Sequence, residues 1–244
     1  MAAAELSVPQ EVAATTETEF AIRSICVGLS EFVKLGAAHN APEVALQFLA
    51  QGFERLTKLI LILGTLEQEG WLMSKKDLQN KKKAGHRVDQ LLSRVIELCE
   101  TTGFAEGSPA MVDDLDFLKN DARLSMLVEV IADFGDSGRY NSLDILVGES
   151  PNGGPREAFE DLKFDVLADY PEWEAKLASP EFNQFYEVLY GDLMEVLQHF
   201  ARSLCRMFSL GLLGQPGKRM TAIVQPFIKL RDQDLRPRAA GCGG

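Results

Sequence analysis

The stretch from Asn40 to Leu66 limits what this chain can become more than any other. Val44, Phe48, Leu49, Gly52, Phe53, Leu56, Leu59, Ile60 and Leu63 recur at steps of three and four, the spacing that lines side chains up on one helical face. Leu59 to Leu63 is apolar without a break, so the last turns need cover on most sides. Asn40 followed by Pro42 and Glu43 gives a capping signal at the start. The pattern predicts a central helix over about 41–68, with Gln47, Gln51, Glu54, Arg55 and Lys58 as a narrow polar stripe. A second long helix is predicted over about 180–210. Its start is marked by Ser179, Pro180 and Glu181, and its core face by Phe182, Phe185, Leu189, Leu193, Val196, Leu197, Phe200, Leu204 and Phe208. No run alternates between apolar and polar residues with hairpin turns at its ends. The expected fold is all-α, a multi-helix bundle.

Around these two helices the chain divides by its punctuation. Residues 1–15, rich in Ala, Thr and Glu, read as a disordered tail. A helix from Thr16 to about Leu35 carries Phe20, Ile25, Cys26, Leu29, Phe32 and Val33, and is expected to lie antiparallel to the central helix. Another is expected over about 84–101. Ser108 and Pro109 open a further one, with a break near Asn120 and Asp121. Two prolines and two glycines between Ser150 and Pro155 mark the clearest interior loop. That loop separates a core over 16–148 from a helical extension over 156–230 packed on it, and 231–244 reads as a flexible tail.

Composition narrows the function classes. Lys and Arg total 25 against 36 Asp and Glu, a net charge of −11, which argues against a surface given over to nucleic acid or anionic lipid. A local basic patch is compatible with it, and Lys75, Lys76, Lys81, Lys82 and Lys83 would supply one, although charge runs usually face water. No apolar run approaches the roughly 18 residues of a membrane span, and no basic and apolar leader opens the chain. A cytoplasmic protein without membrane contact is the expectation. Cys26, Cys99, Cys205 and Cys242 lie too far apart for a close-spaced zinc motif, and the first three read as reduced packing residues. His39, His86 and His199 have no neighbour at ligand spacing. There is no His-Glu-x-x-His, no glycine-rich phosphate loop and no Gly-x-Ser-x-Gly turn. Neither a metal nor a cofactor is expected. Glu67 and Glu69, and likewise Asp113, Asp114 and Asp116, read as solvated faces, and His199 as a satisfied buried histidine.

One constellation goes further. Glu54-x-x-x-Lys58 on the central helix, Gly85-His86 opening the next helix, and Arg139-Tyr140-Asn141 before a later one together resemble the HEPN superfamily. These are small helical proteins of bacterial toxin–antitoxin and abortive-infection systems, and the resemblance covers about 40–148. It implies an RNA-facing site with Arg139, Asn141 and Asp144 at its catalytic centre and Glu54, Lys58, Lys82, Lys83 and His86 as binding residues. It also implies a homodimer, with RNA or a cognate protein as the partner. Members that cut RNA carry a histidine four to six residues after the arginine, but here Asp144 occupies that place. An imidazole can move a ribose proton at neutral pH, whereas an unshifted carboxylate with a pKa of about 4 is a poor general acid there. The expectation is therefore a degenerate nuclease centre that acts through binding. An active metal-independent ribonuclease and a plain helical adaptor stand behind it. Each residue also has a simpler role open to it: Glu54 with Lys58 as a stabilising helix pair, Arg139 with Asp144 as a local salt bridge, and His86 as a solvated side chain.

Overall fold

The computed structural model describes residues 5–35, 42–74, 76–77, 85–136, 145–148, 154–170 and 182–235, without the side chains of 105, 155 and 182–187. Nine helices are found among them and no strand: α1 Val8–Leu35, α2 Glu43–Glu69, α3 Val88–Thr101, α4 Pro109–Asn120, α5 Ala122–Asp136, α6 Pro155–Leu167, α7 Phe182–Ser209, α8 Gly214–Arg219 and α9 Thr221–Ile228. The all-α bundle is as expected. No helix among the described residues is long and apolar enough to cross a membrane.

α2 occupies the middle, touching α1, α3, α5, α7 and α8. Leu49, Phe53, Leu56 and Ile60 are fully buried, and even Thr57 is inside, its hydroxyl donating to the Phe53 carbonyl at 2.7 Å. Val44, placed on the apolar face by its spacing, is 52% exposed. The helix begins at Glu43, so Val44 stands in its first turn, and Asn40 lies outside the described residues. At the other end Gly70, at φ 76°, closes the helix with its amide on the Leu66 carbonyl, a left-handed cap that glycine adopts without strain.

α1 corrects the reading of the amino terminus. It starts at Val8, not at Thr16, so most of the segment read as a disordered tail is helix. The start was written in the chain: the Ser7 amide and hydroxyl both meet Gln10 Oε1 at 2.8 Å, a capping arrangement, and Pro9 suits a first turn. The early turns escape notice because their buried face is small, made of Ala14, Thr18 and Ala21. Phe20 and Val33, assigned to the core by periodicity, are 43% and 41% exposed.

Small residues also let α1 and α2 approach closely and antiparallel. Gly28 faces Leu49, while Gly52 faces Ala21 and Ile25. A Cβ at Gly52 would lie 2.8 Å from the Ile25 amide nitrogen and 3.0 Å from the Ala21 carbonyl oxygen. These are backbone atoms that cannot rotate away. Gly52→Ala is therefore expected to lose about 1–3 kcal/mol to overpacking, although alanine is the better helix former by about 1 kcal/mol. Thermal melts check this, and an unchanged or raised midpoint would contradict the close approach.

The segments on either side of 150–155 share one apolar core. Phe32 of α1 meets Phe159 of α6 and Tyr190 of α7 edge to face, at 5.9 and 5.6 Å between centroids. Phe200 of α7 lies 4.4 Å from Phe53 of α2. Order also runs further toward the carboxyl terminus than the tail assigned from Arg231 onward. Leu235 is buried, and Asp232 is bound by Arg202 at 2.7 Å. Cys99 and Cys205 are buried as expected, whereas Cys26 is only partly so. Burial pushes the Cys99 thiol up to about 12. Cys242 and the segment around Trp173 lie outside the described residues.

Candidate functional site

Five positions on one face of α2 (Gln51, Glu54, Arg55, Lys58 and Ile62) stand on a helical stripe, and they line a cleft of about 410 Å³. α1 adds Glu17 from one side. His86 enters from the other, in the turn that leads into α3. Gly85, at φ 50°, sets that turn in the region glycine favours. His86 thus arrives beside a helix that left it far behind in sequence.

The contacts converge on one oxygen. Glu54 Oε1 receives Lys58 Nζ at 2.7 Å and His86 Nδ1 at 2.7 Å. Glu54 and Lys58 are 16% exposed and His86 48%. Ionised Glu54 can only accept, so Nδ1 carries the proton and, in the neutral ring, Nε2 holds the lone pair. Lys58 Nζ also lies 3.5 Å from Nδ1. Two donors cannot bond each other, so that separation is a shared attraction to Glu54 and not a hydrogen bond.

On the α1 side, Arg55 Nη1 donates to Glu17 Oε2 at 2.6 Å, and its guanidinium carbon sits 4.4 Å from the centroid of the Phe20 ring. Two carboxylates thus balance two permanent cations in the cleft.

Of the eight residues assigned from sequence, Glu54, Lys58 and His86 are brought together here. Lys82, Lys83, Arg139, Asn141 and Asp144 lie outside the described residues. Glu17, Arg55 and Phe20 were not assigned. Arg55 had a visible signal, since it shares the polar stripe of α2, but its partners come from another helix and have none.

A second polar centre lies inside the bundle. Asp114 on α4 is 1% exposed, so the solvated face read there holds only for its exposed neighbours Asp113 and Asp116. The helical period turns Met111, Asp114 and Leu118 inward together. Asp114 binds Arg206 Nη1 through both oxygens at 3.0 Å, accepts from the Ser203 hydroxyl at 3.1 Å, and lies 3.4 Å from His199 Nε2. The His199 ring stacks on Phe117 at 3.7 Å, a satisfied histidine as expected. Every charge here has an internal partner, so the cluster joins α4 to α7. Among the described residues, no group of three or more His, Cys, Asp or Glu is placed to hold a metal ion.

No protein-family model, curated protein or solved structure matches the chain.

Proposed function

We propose that this chain is a HEPN-like protein of the bacterial defence or toxin–antitoxin kind that binds RNA through the cleft of Glu54, Lys58 and His86, without cleaving it. The observation that carries this reading is the convergence of those three side chains from α2 and from the turn before α3. Glu54 and Lys58 form an (i, i+4) helix pair, and His86, from a separate turn, joins them on the same carboxylate oxygen. In sequence, the lysine run at Lys81, Lys82 and Lys83 leads directly into this histidine. Phosphate attraction by such groups is electrostatic and falls with salt.

The test is fluorescence anisotropy with a short labelled single-stranded RNA. Wild type is expected to bind at low salt. Lys58→Ala is expected to weaken binding, because the cleft loses one of its two cations and with it part of its attraction for phosphate. Absence of binding at any salt concentration would end the reading.

Metal-independent cleavage is the second reading, and one specific geometry favours it. A carboxylate that fixes Nδ1–H leaves Nε2 to accept a proton, which supplies the imidazole missing from the position of Asp144. Cleavage in a chelator by wild type, lost in His86→Ala at unchanged melting temperature, would replace the binding-only reading with this one.

A further inference from the structure

The two ion pairs of the cleft are built for different purposes. Lys58 and Glu54 are 16% exposed, and Glu54 also holds His86. An anion could take Lys58 only by stripping a partly buried carboxylate of its partner, which is costly. Arg55 and Glu17 are 35% and 49% exposed, joined through one nitrogen and one oxygen. Exposed pairs of this kind are weak and open readily. Glu17, once released, faces water at little cost.

Arg55 is also the better equipped cation. A guanidinium has five N–H donors in a planar fork, and one contact, to Glu17, is made among the described residues. Phe20, left 43% exposed on α1, lies under the guanidinium at 4.4 Å. An aromatic face restrains the fork to a plane while leaving its edge for an anion. Bidentate contact to phosphate oxygens needs that geometry.

Resting on the RNA-binding reading above, we infer that Arg55 is the phosphate-binding group of this cleft and that Glu17 is its built-in competitor, a carboxylate standing where a backbone phosphate of RNA docks. Binding then exchanges Glu17 for phosphate on Arg55, with Phe20 holding the guanidinium in place throughout. Glu17 thereby sets the affinity of the cleft without touching the ligand.

The experiment uses the full chain and the same labelled single-stranded RNA. Glu17→Gln keeps the size of the side chain and removes its charge. It is expected to tighten binding about two- to fivefold, the range an exposed ion pair covers. Arg55→Ala is expected to weaken binding about tenfold, with Arg55→Lys restoring only part of it. In the Arg55→Ala background, Glu17→Gln should have no effect, because Glu17 acts through Arg55. Glu19→Gln, which removes the same charge from an exposed position of α1 outside the cleft, should leave affinity unchanged. Equal tightening by Glu17→Gln and Glu19→Gln, or tightening that persists without Arg55, would reduce Glu17 to a diffuse charge and overturn the inference. If Lys58→Ala weakens binding while the Glu17 and Arg55 variants do not alter it, the inference fails and the RNA-binding reading stands. If neither wild type nor Glu17→Gln binds RNA, both fail.

Discussion

Ile60→Asp is expected to prevent folding. Ile60 is fully buried in the middle of α2. A carboxylate there would have no partner, and its desolvation together with the lost apolar packing costs several kcal/mol. Domains of this size are stable by only about 5–15 kcal/mol in total, so the variant should appear as aggregated or unfolded chain. Ile60→Val, which removes one methyl group and leaves the environment apolar, is expected to cost about 1 kcal/mol. Circular dichroism and thermal melts on both variants provide the check. A soluble Ile60→Asp protein with the wild-type midpoint would mean that α2 is not central.

Asp114→Ala is expected to cost about 3 kcal/mol at neutral pH, because it removes one member of a buried pair and leaves the other. The figure sits at the low end of such losses because Arg206 keeps 21% of its side chain in contact with solvent. The same residue makes stability depend on acid. Burial alone would raise the Asp114 pKa, but the hydrogen bonds from His199, Arg206 and Ser203 outweigh it and hold the carboxyl below its usual range. A depressed folded-state value means that the stabilisation is fully present above the unfolded-state pKa of about 3.9, and is lost as pH falls through the folded-state value. Asp114→Asn keeps an acceptor for Ser203 but has no such titration. Urea unfolding across the acid range should show a shallower loss in Asp114→Asn than in wild type, starting from a lower neutral-pH stability. Parallel pH profiles for the two proteins would assign the acid sensitivity elsewhere.

What could be read from the sequence follows from what periodicity encodes. α2 and α7 were legible because large apolar residues at steps of three and four have few alternatives to one buried face. The first turns of α1 were not, since alanine and threonine carry little weight in such a pattern although they serve close helix packing well. The Ser7, Pro9 and Gln10 signal was local and readable, and an apolar count passes over it. Asp114 shows the complementary failure. Its spacing from Met111 and Leu118 pointed inward, while its charge argued for the surface, and the partners that reconcile the two come from α7. The cleft was half legible. Glu54 and Lys58 are neighbours by helical geometry alone, but whether His86 reaches them depends on how the chain returns after α2. Arg55 with Glu17 and Phe20 joins two helices, and residues on one helix do not announce the other.

The Phe53 and Phe200 contact has a consequence for the life of the chain before it is finished. α1 and α2 are neighbours in sequence, and their glycine-lined seam can close as soon as both have left the ribosome, with little loop entropy to overcome. Phe53 of α2, by contrast, lacks its Phe200 partner until α7 has been synthesised. Throughout that interval the nascent chain presents an aromatic, leucine-rich surface of the kind that draws chaperones or other nascent chains. The carboxyl-terminal half is thus the segment that ends the period of aggregation risk for the amino-terminal half.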